Sequence, residues 1–246
     1  MKVAYFDCSR GISGVATLAA LIDAGADMDL LSAGIEFLGD GLPILRTEDR
    51  TLGAFRVRTV SIEGGEASVA SRPEDLEMLL SAARLPDGAR DLARRIYGRL
   101  AAAEARVHGT SPKTVTFHEI GSLRSVVGVV GTAIALEQLG IQEIVASPAP
   151  FGRGTVDTEH GRLALPTPAT LELLRGVPIE PQVGTGELVT PTGAAIFAVA
   201  ATSFGPIPAM TIESVGYGMD GRHSSGPILR VVLGRAADGS VVSGSS

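Results

Sequence analysis

The sequence predicts an α/β protein, with α+β packing as the alternative, built as a mixed sheet with packed helices. Short runs rich in Val, Ile and Thr alternate with longer segments of helical periodicity, which is the pattern of layered α/β domains. Glycines and prolines fall where those segments stop or start. The 246 residues are 45% apolar and 20% charged, enough for a sizeable hydrophobic core.

Taken in order, Lys2–Phe6 alternates into a first strand that ends at Asp7. A glycine-rich turn, Cys8 to Gly14, leads into a helix over Val15–Ala24 that Gly25 stops, and Asp29–Phe37 reads as a second, shorter helix. Ala54–Ile62 suits a strand, and Glu63–Arg72 a flexible connection. Pro73 opens a helix closing near Arg84. Pro86 opens a longer one, whose Leu92, Ile96, Leu100 and Ala103 share a face, ending at His108-Gly109. Thr114–Phe117 reads as a short strand, Ser122–Leu139 as a helix closed by Gly140, and Glu143–Ala146 as a strand. Gly152–Val156 and Arg162–Leu165 flank Asp157-Thr158-Glu159-His160-Gly161 as a hairpin. Thr167-Pro168 and Thr190-Pro191 each place a capping hydroxyl before a proline at the first helical position. Thr211–Tyr217 and Ile228–Leu233 are β segments. One module over residues 1–235 is expected, with a subdomain boundary near 63–72 or 109–113 and a flexible tail over 236–246.

The net charge of −6 argues against a nucleic-acid partner, which would require a positive face. Arg90, Arg94, Arg95, Arg99 and Arg106 share one helix with Asp91 and Glu104, the pattern of a solvated face. The single cysteine, Cys8, has no internal disulfide partner and reads as a buried core residue. No segment reads as a leader or a membrane span, so the expected location is the cytoplasm.

Chemistry can sit in three places. The turn carrying Asp7, Ser9, Arg10, Gly11, Ser13 and Gly14 joins a strand to a helix start, where free backbone N–H groups beside Arg10 would hold a phosphate or carboxylate. It lacks both the Gly-Lys-Ser/Thr of a phosphate-binding loop and the dinucleotide fingerprint. Glu187, Thr190 and Thr192 open a second helix and offer another anion contact, although capping alone explains Thr190. His118, Glu119 and His160 supply imidazole and carboxylate, suitable for acid–base work or for nickel, zinc or manganese. Gly216-Tyr217-Gly218 with Arg222 and His223 reads as a loop over a site or a plain turn.

Together these motifs resemble the LarC nickel-insertion family. The resemblance rests on Asp7-Cys8-Ser9-x-Gly11-Ile12-Ser13-Gly14, Ala103-Glu104-Ala105-x-Val107-His108-Gly109 and Phe117-His118-Glu119-Ile120-Gly121. It continues through His160-Gly161, Pro166-x-Pro168-Ala169-Thr170, Glu187 to Gly193 and Gly216-Tyr217-Gly218, in order along nearly the whole chain. The resemblance implies cytidine-triphosphate-dependent insertion of nickel into a sulfur-bearing pyridinium mononucleotide, a lyase-class cyclometallation that yields the nickel-pincer cofactor of lactate racemase. It also implies an anionic nucleotide-like ligand, with homo-oligomers and a separate C-terminal module or partner enzyme in view. The sequence is not expected to carry that C-terminal module, so a nucleoside triphosphate is not expected on this module alone. Nor is the family's histidine-rich linker found around residues 63–72. Val15, Thr116, Arg124 and Gly128 stand where family members carry an acid, a histidine and two further acids. Nickel binding is therefore expected to be weak or lost, with Arg124 turned toward an anion. Two readings stay open: a nickel-inserting or related nucleotide-modifying enzyme, and a non-catalytic binding or accessory protein derived from one.

Overall fold

The computed structural model describes residues 1–38, 45–221 and 226–237. Arg222, His223 and nearly all of the expected tail lie outside them. The elements in chain order are β1 (Lys2–Arg10), α1 (Gly14–Asp23), α2 (Met28–Ile35), β2 (Leu45–Leu52), β3 (Phe55–Ile62), α3 (Pro73–Ala82), α4 (Asp87–His108), α5 (Leu123–Gln138), β4 (Glu143–Ala146), β5 (Ala149–Arg153), β6 (Thr155–Thr158), β7 (Gly161–Ala164), α6 (Pro168–Leu173), β8 (Ile179–Thr185), α7 (Pro191–Ala200), β9 (Ser203–Phe204), β10 (Met210–Asp220) and β11 (Ile228–Ala236). Seven strands form one mixed sheet in the order β2-β3-β10-β11-β1-β4-β9, while β5 pairs with β8 and β6 with β7. This is the α/β arrangement that the alternation predicts.

Alternation along the central strands assigns the two faces of the sheet. Ala4, Phe6 and Cys8 of β1, with Leu229, Val231 and Leu233 of β11, are buried toward the helices. Gly216 and Gly218 of β10 point the same way: a Cβ on either would stand 2.0 or 2.1 Å from a backbone oxygen of α1, so glycine lets the helix lie directly on the sheet. Tyr5, Asp7, Tyr217 and Arg230 consequently face the opposite side.

Helix ends follow their sequence signals. Ser13, Thr167 and Thr190 cap α1, α6 and α7 through hydroxyls that accept from Ala16, Thr170 and Gly193 N–H. Gly109, at φ 66°, stops α4 in the left-handed conformation that favours glycine. The 63–72 connection is tied down, because Leu123 and Arg124 N–H donate to Ala67 and Gly65, and Val69 N–H donates to Gly121. One buried apolar cluster runs from Ala4 to Leu233.

Two readings change. Thr114–Phe117 joins no ladder: Thr114 and Val115 N–H bond back to Ser111, and Phe117 N–H to Ser71. Its β-branched residues serve instead to bring buried Val115 and Phe117 into the core. The strand β2 lacks an apolar stripe, since its sequence is LRTEDRTL; an exposed, charged edge strand gives no periodic signal.

Candidate functional site

Three of the four histidines converge. His108 sits in the last turn of α4, His118 begins a 3-10 turn over Glu119–Gly121, and His160 tips the β6–β7 hairpin. Local structure fixes each one. Phe117, buried against Tyr97 at a ring separation of 6.1 Å, anchors the chain just before His118. Thr158 Oγ1 accepts from His160 N–H at 3.1 Å and donates to Gly161 C=O at 2.9 Å, which sets the hairpin turn.

Ring centroids lie 5.7 Å apart for His108–His118, 4.9 Å for His108–His160 and 4.6 Å for His118–His160. One nitrogen from each ring can be chosen so that all three lie within 4.8 Å of one another. A single ion about 2.1 Å from each nitrogen would bring them to about 3.4 Å in tetrahedral geometry. His108 and His160 are exposed, so their rings have room to turn toward a shared ion. Glu104 backs the group, its carboxylate 3.4 Å from His108 Nε2. Burial raises the Glu104 carboxyl above its ordinary value while the three imidazoles pull it back down. A carboxylate behind an imidazole is the usual way of fixing the orientation of a histidine ligand.

Glu119, named in the sequence as a ligand beside His118 and His160, stands outside this group. It is exposed, and its main-chain oxygen accepts from Ser122 and Ser125 hydroxyls, both at 2.8 Å. His108 takes the third place. In the sequence His108 and Glu104 stand within one motif, but Glu104 reads as part of a solvated helix face and His108 carries no distinct signal.

The glycine turn is folded differently from the expected amide cradle. Ser9 N–H donates to Asp7 Oδ1, Gly11 N–H to Cys8 C=O, Ile12 N–H to Leu188 C=O and Gly14 N–H to Thr192 Oγ1. Thr190 N–H donates to Ile12 C=O and its hydroxyl caps α7, so Gly11–Gly14 and the segment around Glu187–Thr192 stitch to each other. These amides, read as anion donors, are already satisfied within the protein. Cys8 is fully buried and its thiol is pushed up by burial, consistent with a core residue.

Arg124 also meets a different partner. Its guanidinium is buried and paired with the Asp220 carboxylate at the end of β10. The anion at Arg124 is thus an acid of this chain, one that no sequence motif singled out. Gly128 faces the start of α1, where a Cβ would come within 3.0 Å of Gly14 C and 3.1 Å of Val15 N. At Gly128 helices α5 and α1 therefore cross in close contact.

Asp7, Ser9 and Arg10 line a cleft of about 380 Å³ on the sheet face opposite α1, together with Phe55, Tyr217, Ile228 and Arg230. Asp7 pairs with Arg230, its cross-strand neighbour. Burial pushes the Asp7 carboxyl up, but hydrogen bonds from Ser9 and the Arg230 charge outweigh it and hold the group below the ordinary carboxylate range.

A family model described as nickel insertion protein matches residues 4–244. The chain belongs to this nickel insertion family. Among its relatives, a protein of Geobacter metallireducens named for nickel insertion is 42% identical over 97% of this chain and 62% of its own length. The pyridinium-3,5-bisthiocarboxylic acid mononucleotide nickel insertion protein of Nocardioides sp. is 40% identical over 97% of this chain and 61% of its own length. The chain therefore spans about three-fifths of the length of these family members. No solved structure matches it. Among the described residues, no helix is long and apolar enough to cross a membrane.

Proposed function

We propose that this chain is the nickel-holding module of an enzyme that inserts nickel into a pyridinium mononucleotide, with the ion as substrate. The observation that carries the reading is the convergence of His108, His118 and His160, from three separate segments, in a chain whose relatives are named for nickel insertion. Imidazole suits nickel, a borderline cation, and three neutral nitrogens leave coordination positions open for an incoming sulfur-bearing ligand. Glu104 orients His108, so the group is partly organised before metal arrives. The expectation of weak or lost metal binding rested on Val15, Thr116, Arg124 and Gly128, with His118, Glu119 and His160 counted as the remaining ligands. It did not count His108.

Titration calorimetry of the metal-free chain with nickel tests this. One equivalent should bind, and His108→Ala and His160→Ala should each weaken it at least tenfold, with circular dichroism unchanged because both residues are exposed. Nickel affinity unchanged in the His108→Ala/His160→Ala double variant would overturn the reading.

A further inference from the structure

The three histidines are not held alike. His108 belongs to the last turn of α4, a helix anchored near that end by buried Ala103 and Ala105. His118 sits between Phe117 and Ile120, both buried. Phe117 N–H donates to Ser71 C=O at 2.7 Å, and the Tyr97 hydroxyl donates to Ile120 C=O at 3.2 Å, so this segment is tied to the body of the protein. His160 has no such anchor. It tips the β6–β7 hairpin, and none of residues 155–164 is buried. The two strands pair only with each other, and the side-chain hydrogen bonds of Thr158 and Arg162 stay inside the hairpin. A two-stranded hairpin with no buried apolar face is marginally stable in water.

The geometry of the hairpin lets it move as one piece. Its two ends meet where Leu165 N–H donates to Gly154 C=O at 3.0 Å. Gly154 holds φ at 129°, a conformation that side-chain-bearing residues rarely adopt, so the bend between β5 and β6 depends on glycine. Beyond that joint β7 stands beside an open hollow of about 690 Å³, with Leu163 and Ala164 on the hairpin side and exposed Val107 and Leu171, of α4 and α6, across it. The tip meets the body at the His160 ring, whose centroid lies 4.9 Å from that of His108 and 4.6 Å from that of His118.

We infer that His160 is the exchangeable ligand of the nickel site, carried on an arm that docks when the ion binds and lifts to release it. An ion shared by His160, His108 and His118 favours the docked hairpin, because it binds that state better than the open one. When an incoming donor atom takes the place of His160, the bond from nickel to imidazole breaks as the new one forms, and the ion keeps its oxidation state. His108 and His118 hold their positions through the exchange. The inference rests on the proposed nickel site and gives its three ligands unequal parts.

Hydrogen–deuterium exchange of the full chain, read by mass spectrometry with and without nickel, tests it. Nickel should slow the amides of residues 155–164 at least about tenfold, while those between Ala93 and Ala105 of α4 stay unchanged. In nickel-saturated His160→Ala the hairpin should exchange at its metal-free rate. In nickel-saturated His108→Ala it should still be slowed, because His118 and His160 continue to join arm to body. A hairpin as protected as α4 without nickel, or equally protected by nickel in His160→Ala, would overturn the inference. Calorimetry on the same samples separates the two failures: nickel bound without slowing of the hairpin sinks the moving arm alone, and no nickel bound sinks the site with it.

Discussion

Placing a carboxylate at Gly128 should damage the fold more than it helps metal binding. Gly128 is buried in α5, and the nearest atoms to an added Cβ are Gly14 C at 3.0 Å, Val15 N at 3.1 Å and Gly14 Cα at 3.2 Å. All three are main-chain atoms of α1, so relief requires the two helices to separate by a few tenths of an ångström. Gly128→Ala gains about 1 kcal/mol of helix propensity but forfeits about 1–3 kcal/mol to overpacking, a net loss of about 0–2 kcal/mol. Gly128→Asp adds a carboxylate with no cation built to receive it, and an uncompensated buried polar group costs about 1–3 kcal/mol or more. The two losses together come to about 1–5 kcal/mol, a sizeable fraction of the usual 5–15 kcal/mol. Urea unfolding followed by circular dichroism reads both variants, and nickel calorimetry on Gly128→Asp should show no second site. A Gly128→Asp protein within about 1 kcal/mol of the parent would refute the packing argument.

Arg124→Met should destabilise the protein by more than about 1 kcal/mol, because it takes the guanidinium away from the buried Asp220 carboxylate. The double change Arg124→Met/Asp220→Leu should recover most of that loss in the same urea titration, and a single-variant cost under about 1 kcal/mol would show the pair to be solvated. The Asp7 carboxyl, held low in the folded protein, contributes stability above its unfolded pKa near 3.8 and loses it as pH falls through the lower folded value. In Arg230→Met the guanidinium no longer lowers the Asp7 pKa, which rises toward its ordinary value. The stability gap between parent and variant should therefore be widest near neutrality and close as the medium becomes acidic enough to protonate Asp7 in both. Parallel urea titrations across pH measure it, and a gap independent of pH would contradict the assignment.

Much of the scaffold was legible because its signals are local. A capping hydroxyl before proline placed the starts of α6 and α7 at Pro168 and Pro191, and Gly109 marked the end of α4. The hairpin around His160 was legible from its flanking residues, though Gly152 and Arg153 proved to end β5. What failed to show depends on neighbours distant in sequence. His108 lies 52 positions before His160, and nothing in the spacing of either says that a helix end and a hairpin tip will meet. Arg124 and Asp220 are 96 positions apart, so the charge that fills the expected anion site could not be read from the helix alone. The short strands β5, β8 and β9 were missed because they carry proline, glycine or too few residues to show a period.

The order of the large sheet places the last-made hairpin at its centre. β2 and β3 on one side, and β1, β4 and β9 on the other, are joined only through β10 and β11. During synthesis the sheet therefore waits as two fragments, with one edge of β1 open and α1 lacking the glycine-lined strand on which it lies, until residues 210–236 arrive. Tyr217 and Arg230 come with that hairpin, so the aromatic cleft forms only when the sheet closes, whereas all three clustered histidines have already been made. Such long-range closure slows folding and leaves the nascent chain dependent on protection of its exposed strand edges.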